Sequence, residues 1–206
     1  MRTLVSRIAT LLIVAATGAG CGSSSTDGGT AVLTTVEVTP PTATLFTVAP
    51  GNTATLAAVG KDQDGLTMAA GSPNFSSDND AIVGVGTDGT VTALAAGAAQ
   101  ITASMTAGGV TKTGTATVTA QVAPASAGVN TPQLAFSPPV VDVQAGGTVT
   151  WTFGSTPHTV TFTTGGAPAD VTQLQNGSAS RTFPTSGGFS YRCSIHPEMV
   201  GVVRVH

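Results

Sequence analysis

Polar and apolar residues alternate in short runs through most of the chain. Val36-Glu37-Val38 and Thr148-Val149-Thr150-Trp151 show the two-residue period of a strand that buries one face. No stretch after residue 20 has the 3.6-residue apolar period of a long amphipathic helix. The pattern predicts strands at residues 36–38, 43–47, 53–59, 81–85, 90–94, 100–105 and 110–118, and again at 134–136, 140–143, 148–153, 158–162, 178–183, 189–192 and 200–205.

Turn residues separate these strands. Asp62-Gln63-Asp64-Gly65 and Asp88-Gly89 are typical turn sequences, and Gly146-Gly147 predicts a hairpin between its two flanking strands. Asp62 and Asp64 lack the further carboxylates that a calcium loop needs at fixed offsets. A tight turn is therefore the better interpretation of that segment.

Length and composition agree with two small β domains. The chain has 206 residues, only 8% of them charged, and it is rich in Thr, Val and Gly. Residues 121–131 are uncharged and rich in Ala, which indicates a linker. We expect an all-β protein in which one β-sandwich, residues 33–120, precedes a second, residues 132–206. The net charge of −3 offers no basic face for nucleic acid.

The N-terminus has the pattern of a targeting segment. Arg2 and Arg7 precede the short apolar run 8–16, which is followed by Gly18-Ala19-Gly20-Cys21. These residues resemble a bacterial lipoprotein signal, and the resemblance implies that residues 1–20 are removed and that Cys21 is lipidated. The protein would then lie at the cell envelope, tied to a membrane through a flexible tether at residues 21–32. The alternative is a plain secretory signal with a stray cysteine.

Cysteine usage singles out Cys193. The chain has two cysteines, Cys21 and Cys193, and a lipidated Cys21 could not form a disulfide. Cys193 would then be a lone thiol in an oxidising compartment, where free thiols are a liability. Metal ligation is one reason for a lone thiol there.

A metal-ligating pattern surrounds this cysteine. Cys193, His196 and Met199 lie within seven residues between two predicted strands, and His158 begins an earlier strand. One thiolate, two imidazoles and one thioether suit copper in a trigonal site with a long axial methionine. Zinc would favour more thiolates or a third strong ligand. The sequence therefore predicts one mononuclear copper site.

The same region resembles the plastocyanin/amicyanin branch of the cupredoxins. Pro157-His158-Thr159-Val160 and Phe189-Ser190-Tyr191-Arg192-Cys193 carry the resemblance with the ligand loop, over about residues 132–206. It implies a Greek-key sandwich with one type 1 copper, in which His158 is the buried ligand and Cys193 the thiolate. His196 would be the ligand nearest solvent and Met199 the axial one.

Three further residues are expected to tune the copper. The resemblance places Thr159 where the family often has Asn, and Ile195 where many members have Pro; Ser194 lies between Cys193 and Ile195. The backbone N–H groups of Ile195 and Thr159 are expected to approach the Cys193 sulfur from opposite sides.

The first domain resembles the bacterial Ig-like group 2 family. Lys61-Asp62-Gln63-Asp64-Gly65, Ser76-Ser77-Asp78 and Gly89-Thr90-Val91-Thr92-Ala93 carry the resemblance over nearly all of residues 33–120. It implies a spacer or an adhesive module. Met68 and Met105 are interpreted as packing residues.

Together these features predict a one-electron carrier that is not an enzyme. Copper oxidases and nitrite reductases need several more histidines, and this chain has three. We expect a monomer whose redox partner docks at an apolar patch around His196, framed by Pro157, Ile195 and Pro197. The third histidine, His206, is interpreted as a solvated terminus. Copper buffering or delivery is the alternative function, and an envelope protein with an incidental copper domain is a third.

Overall fold

The computed structural model describes residues 30–206. The predicted signal peptide 1–20, the predicted lipidation site Cys21 and most of the predicted tether 21–32 lie outside the described residues. The described part of the chain contains strands and turns, and none of it forms a helix long and apolar enough to cross a membrane.

Eighteen strands make up the described residues. They are β1 Thr35–Thr39, β2 Thr42–Phe46, β3 Thr53–Thr55, β4 Ala57–Lys61, β5 Thr67–Met68, β6 Asn74–Ser77, β7 Val83–Val85, β8 Thr90–Ala93, β9 Gly97–Ala107, β10 Val110–Gln121, β11 Ser126–Thr131, β12 Val140–Val143, β13 Gly147–Phe153, β14 His158–Phe162, β15 Val171–Leu174, β16 Gly177–Phe183, β17 Gly187–Arg192 and β18 Val200–Val205. The all-β class is as predicted.

The first domain, β1 to β10, is built from three sheets in the orders β1-β4-β5, β2-β10-β9-β6 and β3-β8-β7. Its core comes from alternating inward residues such as Ile101, Ala103 and Val118. Asp62 accepts the N–H groups of Asp64 and Leu66, both at 2.9 Å, so its carboxylate closes the predicted turn. The short strands β5 and β6 carry too few apolar residues for the alternation to reveal them.

The second domain is a two-sheet sandwich with sheet orders β11-β13-β16 and β12-β18-β17-β14-β15. Its core combines inward residues of both sheets, with Trp151 and Phe183 from one sheet and Tyr191 and Val203 from the other. The ring of Trp151 meets that of Tyr191 edge-on at a centroid distance of 5.4 Å. Because the core residues are large and fully buried, they fix the strand that leads into the predicted ligand loop.

The structure corrects three predictions in this region. Residues 126–131, part of the predicted linker, form β11, which pairs in parallel with β13. Residues 134–136 form a turn rather than the predicted strand. Gly146-Gly147 does not close a hairpin, because β12 pairs with β18 while β13 pairs with β11 and β16. The chain crosses between the two sheets at that point.

His206 is buried, which corrects its interpretation as a solvated terminus. Its Nδ1–H donates to the carbonyl of Pro50, a residue of the first domain, and its Nε2 lies 2.8 Å from a carboxylate oxygen of Asp142. The centroid of its ring also lies 3.8 Å from the ring centroid of Phe46, another residue of the first domain. His206 therefore joins the two sandwiches where β18 ends.

Candidate metal centre

The predicted ligand loop is closed at its base. Strands β17 and β18 pair through Arg192 and Val200, directly outside the loop. The N–H of Cys193 donates to the carbonyl of Met199 at 3.0 Å, and the N–H of Met199 donates to the carbonyl of His196 at 2.9 Å. These bonds fix the backbone of three predicted ligands in a loop whose two ends are held by paired strands.

The fourth predicted ligand comes from the neighbouring strand. His158 begins β14, which pairs with β17 through Thr161 and Arg192. This pairing brings the His158 side chain beside Cys193, and both are fully buried, whereas His196 is partly exposed. The structure thus places one imidazole inside the domain and one at its surface.

Three ligand atoms converge on a single point. Cys193 Sγ lies 3.8 Å from His158 Nδ1 and 3.6 Å from His196 Nδ1, and the two nitrogens are 3.2 Å apart. A point equidistant from the three atoms lies about 2.1 Å from each of them. Bond lengths from first-row metals to protein ligands are about 2.0–2.3 Å. The three atoms are therefore spaced as the ligands of one metal ion would be.

The chemistry of the donors fits copper. One buried thiolate and two imidazole nitrogens in a trigonal arrangement form the donor set of a copper site that is stable in both oxidation states. Within residues 30–206 this is the one group of three such residues whose ligand atoms converge. Met199 is buried beside the group, with its backbone bonded to Cys193 and His196. Its role as the axial ligand stays a prediction.

Thr159 contacts the sulfur and also joins the two ligand-bearing segments. Its N–H donates to Cys193 Sγ at 3.4 Å, and its Oγ1 lies 3.8 Å from the same atom. The N–H of Ser194 donates to Thr159 Oγ1 at 2.7 Å, and the two hydroxyls are 2.9 Å apart. One threonine therefore holds the His158 strand against the Cys193 loop.

Ile195 differs from the expectation drawn from the sequence. Among residues 30–206, the backbone donor to the sulfur is the N–H of Thr159, and the N–H of Ile195 makes no hydrogen bond to it. The loop instead turns Ile195 outward, where 44% of the residue is exposed. Its contribution is to the surface rather than to the sulfur.

Burial favours the neutral form of the His158 imidazole. Burial lowers the pKa of this imidazole, a positive charge on His196 would lower it further, and the nearby carbonyl of Gln133 opposes both. Its Nε2 is buried and has no hydrogen-bond partner among residues 30–206. The lowered pKa favours the neutral ring, which is the form that offers a lone pair to a metal.

Tyr191, two residues before Cys193, is buried among the aromatic residues of the core. Burial raises the pKa of its phenol to about 12, with the nearby Trp151 indole acting in the opposite direction. Its ring lies over Gly201, where a Cβ would stand 2.4 Å from Tyr191 Cζ. The glycine thus allows the aromatic core to reach the strand that follows the loop.

An apolar surface pocket of about 210 Å³ borders the partly exposed His196. Its lining includes Ile195 and Pro197, two of the three residues expected to frame the patch, but not the third, Pro157. It adds Leu134, which is 61% exposed. The sequence did not indicate Leu134, because residues 134–136 were assigned to a strand rather than to a surface turn.

Comparisons with known proteins bear on the second domain. Residues 123–206 match the family model described as copper binding proteins, plastocyanin/azurin family. A reduced mutant of amicyanin is 30% identical with a TM-score of 0.37, and the match covers 41% of this chain and 86% of that chain. The Cu(I) form of another amicyanin mutant is 31% identical, with the same TM-score and the same coverage. No curated protein matches the chain.

Proposed function

Residues 123–206 belong to the plastocyanin/azurin family of copper-binding proteins, and from this premise we propose that the protein carries single electrons at a bacterial cell envelope. The second domain is a type 1 copper electron-transfer domain with one copper site. The observation that carries the proposal is the convergence of Cys193 Sγ with the Nδ1 atoms of His158 and His196.

The ligand residues are held as an electron carrier requires. His158, Cys193 and His196 would hold the copper, with Met199 as the fourth proposed ligand, and the copper would supply a one-electron couple. The hydrogen bonds within the loop and the Thr159 link hold the backbone that carries these side chains in one arrangement. Because the protein resists rearrangement, little reorganisation accompanies the gain or loss of an electron.

Burial of the ligands favours a carrier over a delivery protein. Delivery requires ligands that a partner can reach and exchange, but Cys193 and His158 are both fully buried. His196 is the ligand with an exposed part, so it is the proposed electron port. Copper buffering or delivery remains the competing outcome of the experiment below.

The position of the first domain supports this function. It contacts the second domain through His206, just after β18, whereas the ligand loop precedes the same strand. Six residues of strand span about 20 Å, so the contact and the port lie at opposite ends of the sandwich. We propose that residues 33–120 are an Ig-like spacer that leaves His196 accessible.

Voltammetry with a chelator challenge tests the carrier function. The copper-loaded full chain should show one reversible one-electron couple and should keep Cu(I) during incubation with excess bathocuproine sulfonate. Rapid transfer of copper to the chelator, without a reversible couple, would instead support delivery.

Fractionation tests the proposed anchor. Cys21→Ser should move the protein from the membrane fraction to the soluble envelope fraction, because the lipid chains of a lipoprotein hold it to the membrane. Cys193→Ser is the matched control, since it removes the other cysteine and should leave the protein in the membrane. Equal fractionation of wild type and Cys21→Ser would contradict the anchor.

A further inference from the structure

The charged residues of the copper domain are mostly engaged away from the ligand loop. Arg204 pairs with Asp142 at 2.9 Å, close to His206. Arg181 donates to backbone carbonyls, including that of Asp170, whose carboxylate accepts the N–H of Phe162. Arg192 borders a separate groove with Val200, on the sheet face beside the loop. None of these residues lines the pocket that borders His196.

Glu198 supplies the charge at this pocket. It is exposed, it lies two residues after His196, and it is the one charged residue that lines the apolar pocket around this histidine. Within residues 30–206 it has no ion-pair partner. The proposed electron port is thus an apolar surface that carries a single negative charge.

We propose that this surface docks a redox partner whose contact face is apolar and presents a lysine or arginine to Glu198. The inference rests on the proposed function and adds the kind of partner. A neutral apolar partner would remove water from Glu198 without compensation, and leaving a carboxylate unpaired in an interface is costly. A cation opposite Glu198 removes that cost, and it speeds and orients the encounter.

The same charge disfavours a second copy of this chain as the occupant. In a two-fold dimer the same patch contacts itself, so the Glu198 carboxylates of the two copies would approach each other. Like charges in such an interface repel, whereas a basic partner is attracted. The patch therefore fits a partner of opposite charge better than it fits itself.

Two oxidants of opposite charge test the inference on the reduced, copper-loaded full chain. The probes are tris(phenanthroline)cobalt(III), a cation, and hexacyanoferrate(III), an anion. The measured quantity is the ratio of the two second-order rate constants, cation over anion. A variant that changes the copper potential shifts both rates in one direction, so the ratio isolates the local charge.

Glu198→Gln should lower this ratio roughly tenfold at low ionic strength. The reason is that the Coulomb interaction between a trivalent probe and a unit charge about 10 Å away is only weakly screened when the Debye length is about 30 Å. The effect should vanish in about 1 M salt, where the Debye length is about 3 Å. Asp80→Asn is the matched control: it removes the same charge from an exposed site in the first domain and should change the ratio less than about twofold.

A protein probe extends the test to a macromolecular partner. A lysine-rich c-type cytochrome should react more slowly with Glu198→Gln than with wild type, and its succinylated, acidic form should react faster. An unchanged ratio for Glu198→Gln, or a change equal to that of Asp80→Asn, would overturn the docking inference while leaving the carrier function intact. If neither oxidant reacts with the wild-type protein, the carrier function fails and the inference fails with it.

Discussion

Replacing Thr159 by valine should lower the copper reduction potential by about 20 mV. The variant keeps the backbone N–H that donates to Cys193 Sγ at 3.4 Å, and it loses only the hydroxyl at 3.8 Å. A hydrogen bond between uncharged groups makes a net contribution of about 0.5–1.5 kcal/mol, and the long distance of this one favours the lower end of that range. Since about 59 mV corresponds to a tenfold change for one electron, about 0.5 kcal/mol corresponds to roughly 20 mV.

The direction of the shift follows from the sulfur. A hydrogen bond withdraws electron density from the Cys193 thiolate, and Cu(II) needs that density more than Cu(I) does. Loss of the Thr159 hydroxyl therefore stabilises the oxidised form. The N–H of Ser194 also loses its acceptor, so the free energy of unfolding of Thr159→Val should be lower than that of wild type by about 1 kcal/mol.

Voltammetry of matched variants decides the matter. Thr159→Ser keeps the hydroxyl and should have nearly the wild-type potential. Ile195→Pro and Ile195→Ala should have equal potentials, because the N–H of Ile195 does not reach the sulfur. Equal potentials for Thr159→Val and Thr159→Ser would refute the role of the hydroxyl, and a fall in Ile195→Pro alone would refute the hydrogen-bond assignment.

Two further predictions concern the stability of the metal-free chain. Gly201→Ala should lower the free energy of unfolding, measured by chemical denaturation, by about 1–3 kcal/mol, because the new Cβ would meet the ring of Tyr191. Gly188→Ala is the control: a Cβ there meets open space, so the free energy of unfolding should change little. Burial raises the pKa of Asp142, but the hydrogen bond with His206 helps to hold this pKa below the usual 3.8. The ionised carboxylate therefore stabilises the fold at neutral pH. This contribution is lost as the pH falls below 3.8, because the carboxylate becomes protonated. The Tm difference between wild type and Asp142→Asn should therefore shrink from pH 7 to about pH 3, and a constant difference would contradict this assignment.

The sequence pattern revealed strands with large inward residues and missed those with small ones. Residues 148–153 alternate Val149, Trp151 and Phe153 with threonines, and the structure has a strand there. Strand β11 buries Val129 and Thr131 but is otherwise made of small or polar residues, so its composition indicated a linker. Whether a turn joins partners in one sheet depends on long-range pairing, which a local pattern does not contain.

The sequence predicted the ligands of the metal centre better than it predicted the residues around them. Cys193 and His196 are close in sequence and their chemistry is specific, so their convergence with His158 could be predicted. The link from Thr159 to Ser194 and the position of Leu134 depend on how separate segments pack. The burial of His206 could not be predicted either, because its partners come from the other domain and from β12.

Titration of the full chain with Cu(II), followed by optical and EPR spectroscopy, tests the central claim most directly. We expect one equivalent of copper to produce an intense visible thiolate-to-copper band with the narrow EPR splitting of a type 1 site. Cys193→Ser should keep the fold and lose the band, because the Sγ atom that converges with both imidazoles is gone. A colourless copper-loaded wild type, or a Cys193→Ser variant that remains blue, would contradict the account.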